Sequence, residues 1–101
     1  MFDLRQALDW LSDGCLYGDG ARRVGGVCTD SRSVKAGDLF VALRGERFDA
    51  HGFIAQVQQA GAAAVMFDRF VPGIQLPALR VPDTRRGLGE LAAGWRRRFS
   101  L

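Results

Sequence analysis

A polar turn, Thr29-Asp30-Ser31-Arg32, closes the short strand candidate Val27-Cys28-Thr29 and brings two hydroxyls, a carboxylate and a guanidinium together. Hydroxyl and guanidinium groups suit phosphate oxygens, and open α/β sheets bind ligands at the carboxyl ends of their strands. The same residues also fit a structural role, because Asp and Ser side chains cap turns and Asp30 can pair with Arg32. The spacing alone favours the structural role, with phosphate binding as the alternative.

A second polar segment, Arg44-Gly45-Glu46-Arg47-Phe48-Asp49-Ala50-His51, is charged and without periodicity, which predicts a loop. Phe48 lies between charged residues. A ring in that position either stacks on a planar ligand or anchors a long loop in the core, and the residues by themselves favour the anchor.

The residue types do not indicate self-contained catalysis. His51 is the single histidine, and Cys15 and Cys28 lack CxxC spacing, which argues against a metal site. No GxxxxGK[ST]-like loop is present to hold the phosphates of ATP. Two cysteines without a signal sequence predict reduced thiols and a cytoplasmic location. No apolar run approaches the ~18–20 residues of a membrane helix, so no membrane partner is expected.

Alternating strand and helix signals surround these polar segments. The uninterrupted apolar run Leu39–Leu43 predicts a strand that is covered on both faces of the sheet. Ala62–Phe67 is predicted to be another buried strand, and Ala78–Val81 a further strand. Such strands, alternating with helical stretches, predict an α/β fold with a small mixed or mostly parallel sheet flanked by helices.

Three helices are predicted from caps and apolar spacing. Asp3 and Gln6 form a capping box for the first, and Gly61 ends the second at its C′ position. Pro82-Asp83 begins the third. The residues expected to face inward are Leu4, Ala7, Leu8 and Leu11 in the first helix, Phe53, Ile54, Val57 and Ala60 in the second, and Leu88, Leu91, Ala92, Trp95 and Phe99 in the third.

The 101 residues are enough for one small domain, and a composition of 48% hydrophobic and 25% charged residues excludes disorder. The net charge of +3 is concentrated in residues 80–101, which end in Arg96-Arg97-Arg98. A charge confined to one end differs from the broad basic field of a nucleic-acid-binding domain. Nucleic-acid binding and protein docking through the last helix are therefore the weaker alternatives, and no nucleic-acid partner is expected.

Four segments in order resemble the N-terminal domain of the Mur ligases of peptidoglycan synthesis. They are Thr29-Asp30-Ser31-Arg32, Gly37-Asp38-Leu39-Phe40-Val41-Ala42-Leu43, Gly45-Glu46-Arg47-Phe48-Asp49-Ala50-His51-Gly52-Phe53 and Ala60-Gly61-Ala62. The third segment favours the branch that adds D-alanyl-D-alanine. The branch that adds the third peptide residue is the alternative.

The resemblance implies that the chain anchors the UDP end of UDP-N-acetylmuramoyl-tripeptide. By position, Ser31 would touch the diphosphate, with Thr29 and Arg32 beside it. Glu46, Arg47 and Phe48 would form the loop around uracil. Asp49 and His51 are candidates either to touch the substrate or to shape that loop.

The resemblance also implies a division of labour along a longer ligase. Residues 1–82 would be the substrate-binding domain, and residues 83–101 the helix leading to an ATP-binding domain. ATP and Mg²⁺ would be held by that other part in cis, so this chain alone is expected to contain no catalytic residue, to bind no cofactor or metal, and to be inactive.

Overall fold

A five-stranded sheet lies at the centre of the computed structural model, which describes residues 1–44, 50–70 and 72–98 apart from the side chains of Ala50 and His51. The strands are β1 (Phe2–Asp3), β2 (Cys15–Tyr17), β3 (Arg23–Val24), β4 (Gly26–Cys28), β5 (Asp38–Val41), β6 (Ala64–Phe67) and β7 (Ala78–Arg80). The helices are α1 (Leu4–Trp10), α2 (Ile54–Gln59) and α3 (Thr84–Arg97), and a 3₁₀ turn at Ala50–Phe53 leads into α2.

The strand order in the sheet is β2-β7-β6-β5-β4, and β1 pairs with β3 in a separate antiparallel ribbon. Strands β4 to β7 are mutually parallel, whereas β2 runs antiparallel to β7. The predicted α/β fold with a mixed, mostly parallel sheet is confirmed. Because parallel strands end at the same edge of a sheet, the chain leaves β4, β5, β6 and β7 on one side of the molecule.

Helix α1 begins at the predicted capping box. The Asp3 carboxylate accepts from the Gln6 backbone N–H at 2.9 Å, and the Gln6 side chain accepts from the Asp3 N–H at 3.0 Å. The two bonds satisfy helix donors that have no intrahelical partner. Leu4 and Ala7 are fully buried, as their spacing predicts.

The core lies on both faces of the sheet. Consecutive residues of β5 and β6 are buried and apolar, and successive strand residues point to opposite faces. One cluster lies beneath α1, α3 and the β1–β3 ribbon, and it includes Phe2, Leu4, Val24, Leu39, Met66 and Leu91. The other lies beneath α2 and includes Phe40, Ile54, Val57, Val65 and Phe67. The uninterrupted apolar runs of these strands are explained by this double coverage.

Helix α3 packs through small residues. Its buried positions are Thr84, Gly87, Leu91 and Gly94. A Cβ added at Gly94 would lie 2.6 Å from Cδ1 of Trp10 and closer still to other ring atoms, so the indole of α1 rests directly on the backbone of α3. The predicted stripe is only partly right, because Leu91 is buried and Leu88 and Trp95 are half-buried, while Ala92 is exposed. Phe99 lies outside the described residues.

Some sequence-based predictions were wrong. The second helix was expected to bury Phe53 and Ala60, yet both are exposed, and only Ile54 and Val57 enter the core. Phe53 belongs to the 3₁₀ turn, where its direction differs from that of an α-helical residue.

Cys15 and Cys28 are free thiols, and Cys15 is exposed. Within the described part of the chain, no helix combines the length and apolarity that crossing a membrane requires.

Candidate functional site

A cleft of about 560 Å³ opens at the carboxyl edge of the sheet, beside the end of β4. One wall is the predicted polar turn, Thr29 to Arg32, and the other is formed by Phe53 and Gln56 at the start of α2. A volume of this size is typical of small-molecule pockets, which span roughly 300–1,000 Å³. The cleft therefore lies where a parallel α/β sheet ordinarily binds its ligand.

The polar wall is built as a hydrogen-bonded turn. The Asp30 carboxylate accepts from the Arg32 backbone N–H at 2.9 Å, and the Asp30 carbonyl accepts from the Ser33 N–H at 3.0 Å. The Cys28 thiol also donates to that carbonyl at 3.1 Å. These bonds hold the backbone on both sides of Ser31, which is half-buried in the cleft wall. The hydroxyl of Ser31 is thus carried by a fixed loop.

Asp30 and Arg32 form the ion pair that the structural interpretation of this turn predicts. Nε and Nη2 of Arg32 donate to the two carboxylate oxygens at 3.2 and 3.3 Å. The bond from Arg32 lowers the pKa of the Asp30 carboxyl, and the same bond raises the pKa of the guanidinium. The Arg32 side chain is 84% exposed, so solvent weakens the pair. Two of the five N–H donors of the guanidinium are used in this way, which leaves the group able to meet a second anion.

The structure brings three of the eight predicted site residues together, Thr29, Ser31 and Arg32. Glu46, Arg47, Phe48 and Asp49 lie outside the described residues. The backbone of His51 lies in the 3₁₀ turn that leads into α2, and its side chain is outside the described part.

Phe53 and Gln56 were not predicted as site residues. Phe53 was assigned to the core because its spacing to Val57 fits a helix face. Ile54 fits the same face at the next position, however, and neighbouring helical residues point about 100° apart, so both cannot lie at its centre. That conflict between Phe53 and Ile54 was the signal in the sequence that one of the two faces elsewhere.

An ion pair lies further along the same edge. Arg44 follows β5 and its Nη2 lies 2.6 Å from Oδ1 of Asp68, which follows β6. Arg85, in the first turn of α3, donates from Nη2 to the Arg44 carbonyl at 3.2 Å. These contacts tie the ends of two strands to the start of α3. Among the residues that the structure describes, no group of three or more His, Cys, Asp or Glu side chains could hold a metal ion.

Comparisons with known proteins converge on one family. Residues 23–96 match the model of the Mur ligase family, catalytic domain. The UDP-N-acetylmuramoyl-tripeptide–D-alanyl-D-alanine ligase of Synechocystis sp. is 49% identical over 81 residues, which are 78% of this chain and 18% of that protein. The UDP-N-acetylmuramoyl-L-alanyl-D-glutamate–2,6-diaminopimelate ligase of Aquifex aeolicus is 44% identical over 71 residues, 70% of this chain and 14% of that protein.

A crystal structure of MurF from Acinetobacter baumannii superposes with a TM-score of 0.86 at 35% identity, covering 98% of this chain and 22% of that one. The chain thus spans about a fifth of the length of the relatives that it matches. With nearly three quarters of its residues inside the family model and its whole sheet matched by a solved MurF, this chain belongs to the Mur ligase family.

Proposed function

We propose that this chain is the N-terminal, substrate-anchoring domain of a Mur ligase and that its cleft binds the UDP end of UDP-N-acetylmuramoyl-tripeptide in the cytoplasm. The observation that carries the proposal is the cleft itself. It joins the hydroxyls of Thr29 and Ser31 and the guanidinium of Arg32 at the carboxyl end of β4. Hydroxyl donors and a cation are the groups that a diphosphate requires.

Anchoring a remote part of the substrate is a useful role for a domain without catalytic residues. Binding energy from groups that do not react can hold the reacting end in position elsewhere, and this lowers the entropy cost of the reaction. In the proposed arrangement the reacting carboxylate and amine lie in the other part of the ligase. That part would also hold ATP and Mg²⁺.

The matched family model is described as a catalytic domain, yet this chain contains no GxxxxGK[ST]-like loop. Lys35 is its single lysine, and Ala36 follows it, so no lysine stands in a Gly-Lys-Ser/Thr sequence that could hold ATP phosphates. We therefore assign the binding of ATP to residues outside this chain.

Within the family we propose the branch that adds D-alanyl-D-alanine. The relative from Synechocystis belongs to that branch by name, and so does the solved MurF. The branch that adds the third peptide residue is the second candidate, because its relative from Aquifex is 44% identical. Both branches would share the UDP end of the substrate.

For the domain division, we propose that residues 1–82 form the substrate-binding unit and that residues 83–101 continue toward the ATP-binding part. The two segments are nevertheless packed into one body. Leu91 of α3 belongs to the core cluster beneath α1, and Gly94 lies against Trp10. In this proposal α3 is both a wall of the anchor domain and the start of the connection.

The test is a titration of the isotope-labelled chain with UDP, UMP and ATP, followed by NMR. We expect UDP to shift the amide signals of Thr29 to Arg32, with a Kd no tighter than about the millimolar range because much of the substrate's contact area is missing. ATP should leave the same signals in place. Equal shifts with ATP and UDP, or shifts confined to Arg96–Arg98, would refute the anchoring role.

A matched pair of variants locates the diphosphate. Ser31→Ala should cost about 1–2 kcal/mol of UDP binding, the scale of one hydrogen bond to a charged group. Ser12→Ala removes an equally small hydroxyl from an exposed site at the end of α1 and should leave UDP binding unchanged. Equal affinities in the two variants would return the Thr29–Arg32 turn to a structural role.

A further inference from the structure

We propose that Phe53 and Gln56 form the nucleobase subsite of the cleft, in which the Phe53 ring stacks on the base and the Gln56 amide hydrogen-bonds to its edge. This inference rests on the proposed function, since it takes the cleft to bind a nucleoside diphosphate. It adds two residues on α2 and its leading turn to the loop residues 46–48 that the family resemblance assigns to uracil.

The exposure of Phe53 is the first support. The adjacent Ile54, and Val57 one turn later, are fully buried, whereas Phe53 is 37% exposed and borders the cleft. A large aromatic side chain at the start of a short helix gains most by packing inward, at roughly 25 cal/mol for each Å² of apolar surface removed from water. The fold gives that position to Ile54 and leaves the ring of Phe53 at the opening.

The cleft also has the polarity of a nucleotide. The turn after β4 contributes the hydroxyls of Thr29 and Ser31 and the ion pair of Asp30 with Arg32. Helix α2 and its leading turn contribute the Phe53 ring and the Gln56 amide. A nucleoside diphosphate presents anionic oxygens at one end and a flat heterocycle at the other. In the proposed orientation the anionic end of the ligand meets the turn, and its base meets Phe53 and Gln56.

The side-chain amides of Gln56 and Gln58 have different surroundings. Oε1 of Gln58 accepts from the Gln75 backbone N–H at 2.8 Å, so that amide holds a loop in place. The Gln56 side chain borders the cleft instead. A primary amide offers a donor and an acceptor side by side, which match the alternating donors and acceptors of a pyrimidine edge.

Phe70, which contacts Tyr17 of β2 at the edge of the sheet opposite β4, provides a matched control. It is 53% exposed, but its ring makes edge contacts with Tyr17 at 4.9 Å and Phe67 at 5.4 Å, and the Arg80 guanidinium lies over it at 5.1 Å. It does not border the cleft. Loss of its ring therefore tests what removal of an exposed aromatic does in general.

The experiment compares UDP with inorganic diphosphate on four variants of the chain by NMR titration. Phe53→Leu should weaken UDP binding about fivefold or more, the lower limit for one base stacked on an aromatic ring, while inorganic diphosphate binds as before. Phe53→Tyr should bind UDP with an affinity within about twofold of that of the parent, because it keeps an aromatic ring. Phe70→Leu should change neither ligand. Gln56→Ala should weaken UDP by about two- to tenfold and leave diphosphate alone.

The outcomes separate this inference from the proposed function. If UDP fails to shift Thr29 to Arg32 in the parent chain, the proposed function is refuted. If UDP binds there but Phe53→Leu and Phe70→Leu have equal effects, the base subsite is refuted and the anchoring role stands. Equal weakening of UDP and diphosphate by Phe53→Leu would show that the ring only supports the fold. If Phe53→Leu does not fold, Gln56→Ala against the parent decides the question by the same comparison.

Discussion

Replacing Gly94 by Ala should destabilise the chain, although alanine is the better helix former. A Cβ at this position in α3 would lie 2.6 Å from Cδ1 of Trp10 and closer to the root of the indole, so the whole ring must move. Trp10 cannot move freely, because its ring makes an edge contact with Phe2 at 5.2 Å and Phe2 is 1% exposed. The clash is therefore transmitted into the core.

Three contributions determine how much Gly94→Ala lowers the free energy of unfolding. Overpacking of this kind costs about 1–3 kcal/mol. Disturbing the Phe2–Trp10 edge contact adds about 0.5–1.5 kcal/mol, and the change from Gly to Ala within a helix returns about 1 kcal/mol. The net loss in the free energy of unfolding is about 0.5–3.5 kcal/mol. For a domain of this length that lowers Tm by roughly 2–28 °C.

Gly89→Ala is the matched control, since it is the same change in the same helix. Nothing lies within 4 Å of a Cβ at Gly89, so the helix propensity term acts alone and should stabilise the chain by up to about 1 kcal/mol. Urea unfolding followed by circular dichroism measures both variants, and the two should shift in opposite directions from the parent. A Gly94→Ala variant as stable as Gly89→Ala would refute the close approach of α1 and α3.

Other perturbations test the polar turn and the first helix. Arg32→Gln should raise the pKa of the Asp30 carboxyl toward its ordinary value of 3.8, because the Arg32 side chain is the main cause of the lowering; a ¹³C NMR titration measures it, and an unmoved pKa would contradict the ion pair. Because the folded-state pKa of Asp30 is lowered, its stabilising contribution is present above pH 3.8 and is lost as the pH falls through the folded-state pKa. Asp30→Asn keeps an oxygen for the turn but removes a negative charge from the cleft, so UDP should bind about two- to fivefold more tightly; weaker binding in the same NMR titration would argue against a phosphate at this turn. Asp3→Ala should cost about 1 kcal/mol in urea unfolding, because it breaks the capping box with Gln6; a loss below a few tenths would mean that the box is not formed in solution.

The features that the sequence predicted correctly depend on local patterns. The Asp3–Gln6 box is a contact three residues apart, and the buried strands β5 and β6 are runs of apolar residues long enough to exclude a half-exposed strand. The strands that were missed, β1, β2 and β3, are two or three residues long. Runs that short carry no measurable periodicity, and the pairings of β1 with β3 and of β2 with β7 join residues far apart in the sequence.

Two misjudged faces have a common physical reason. The inward side of α3 was predicted from its large apolar residues, but its tightest packing involves Gly87 and Gly94. Because these residues have no side chain, Met66 and Trp10 can approach the helix backbone closely. Phe53 was placed inward by helical spacing although its turn is not α-helical. For the candidate site, turn chemistry and the family resemblance predicted Thr29, Ser31 and Arg32, and the structure places all three in the lining of one cleft. The cleft wall opposite them depends on how α2 docks on the sheet, which no local pattern specifies.

The contact between Gly94 and Trp10 also makes α3 a lever. The contact of the Trp10 indole with the backbone at Gly94 gives α3 a pivot point near its C-terminal end. Arg85 lies nine residues away near the other end of the helix, about 13 Å along its axis. A tilt of about 5° at the pivot point would displace the Arg85 end by roughly 1 Å. If it fell along the bond, that displacement would lengthen the 3.2 Å hydrogen bond from Arg85 to the Arg44 carbonyl beyond hydrogen-bond range. A force on the last turn of α3 would therefore change the contacts of Arg44 at the edge of the sheet where the cleft opens.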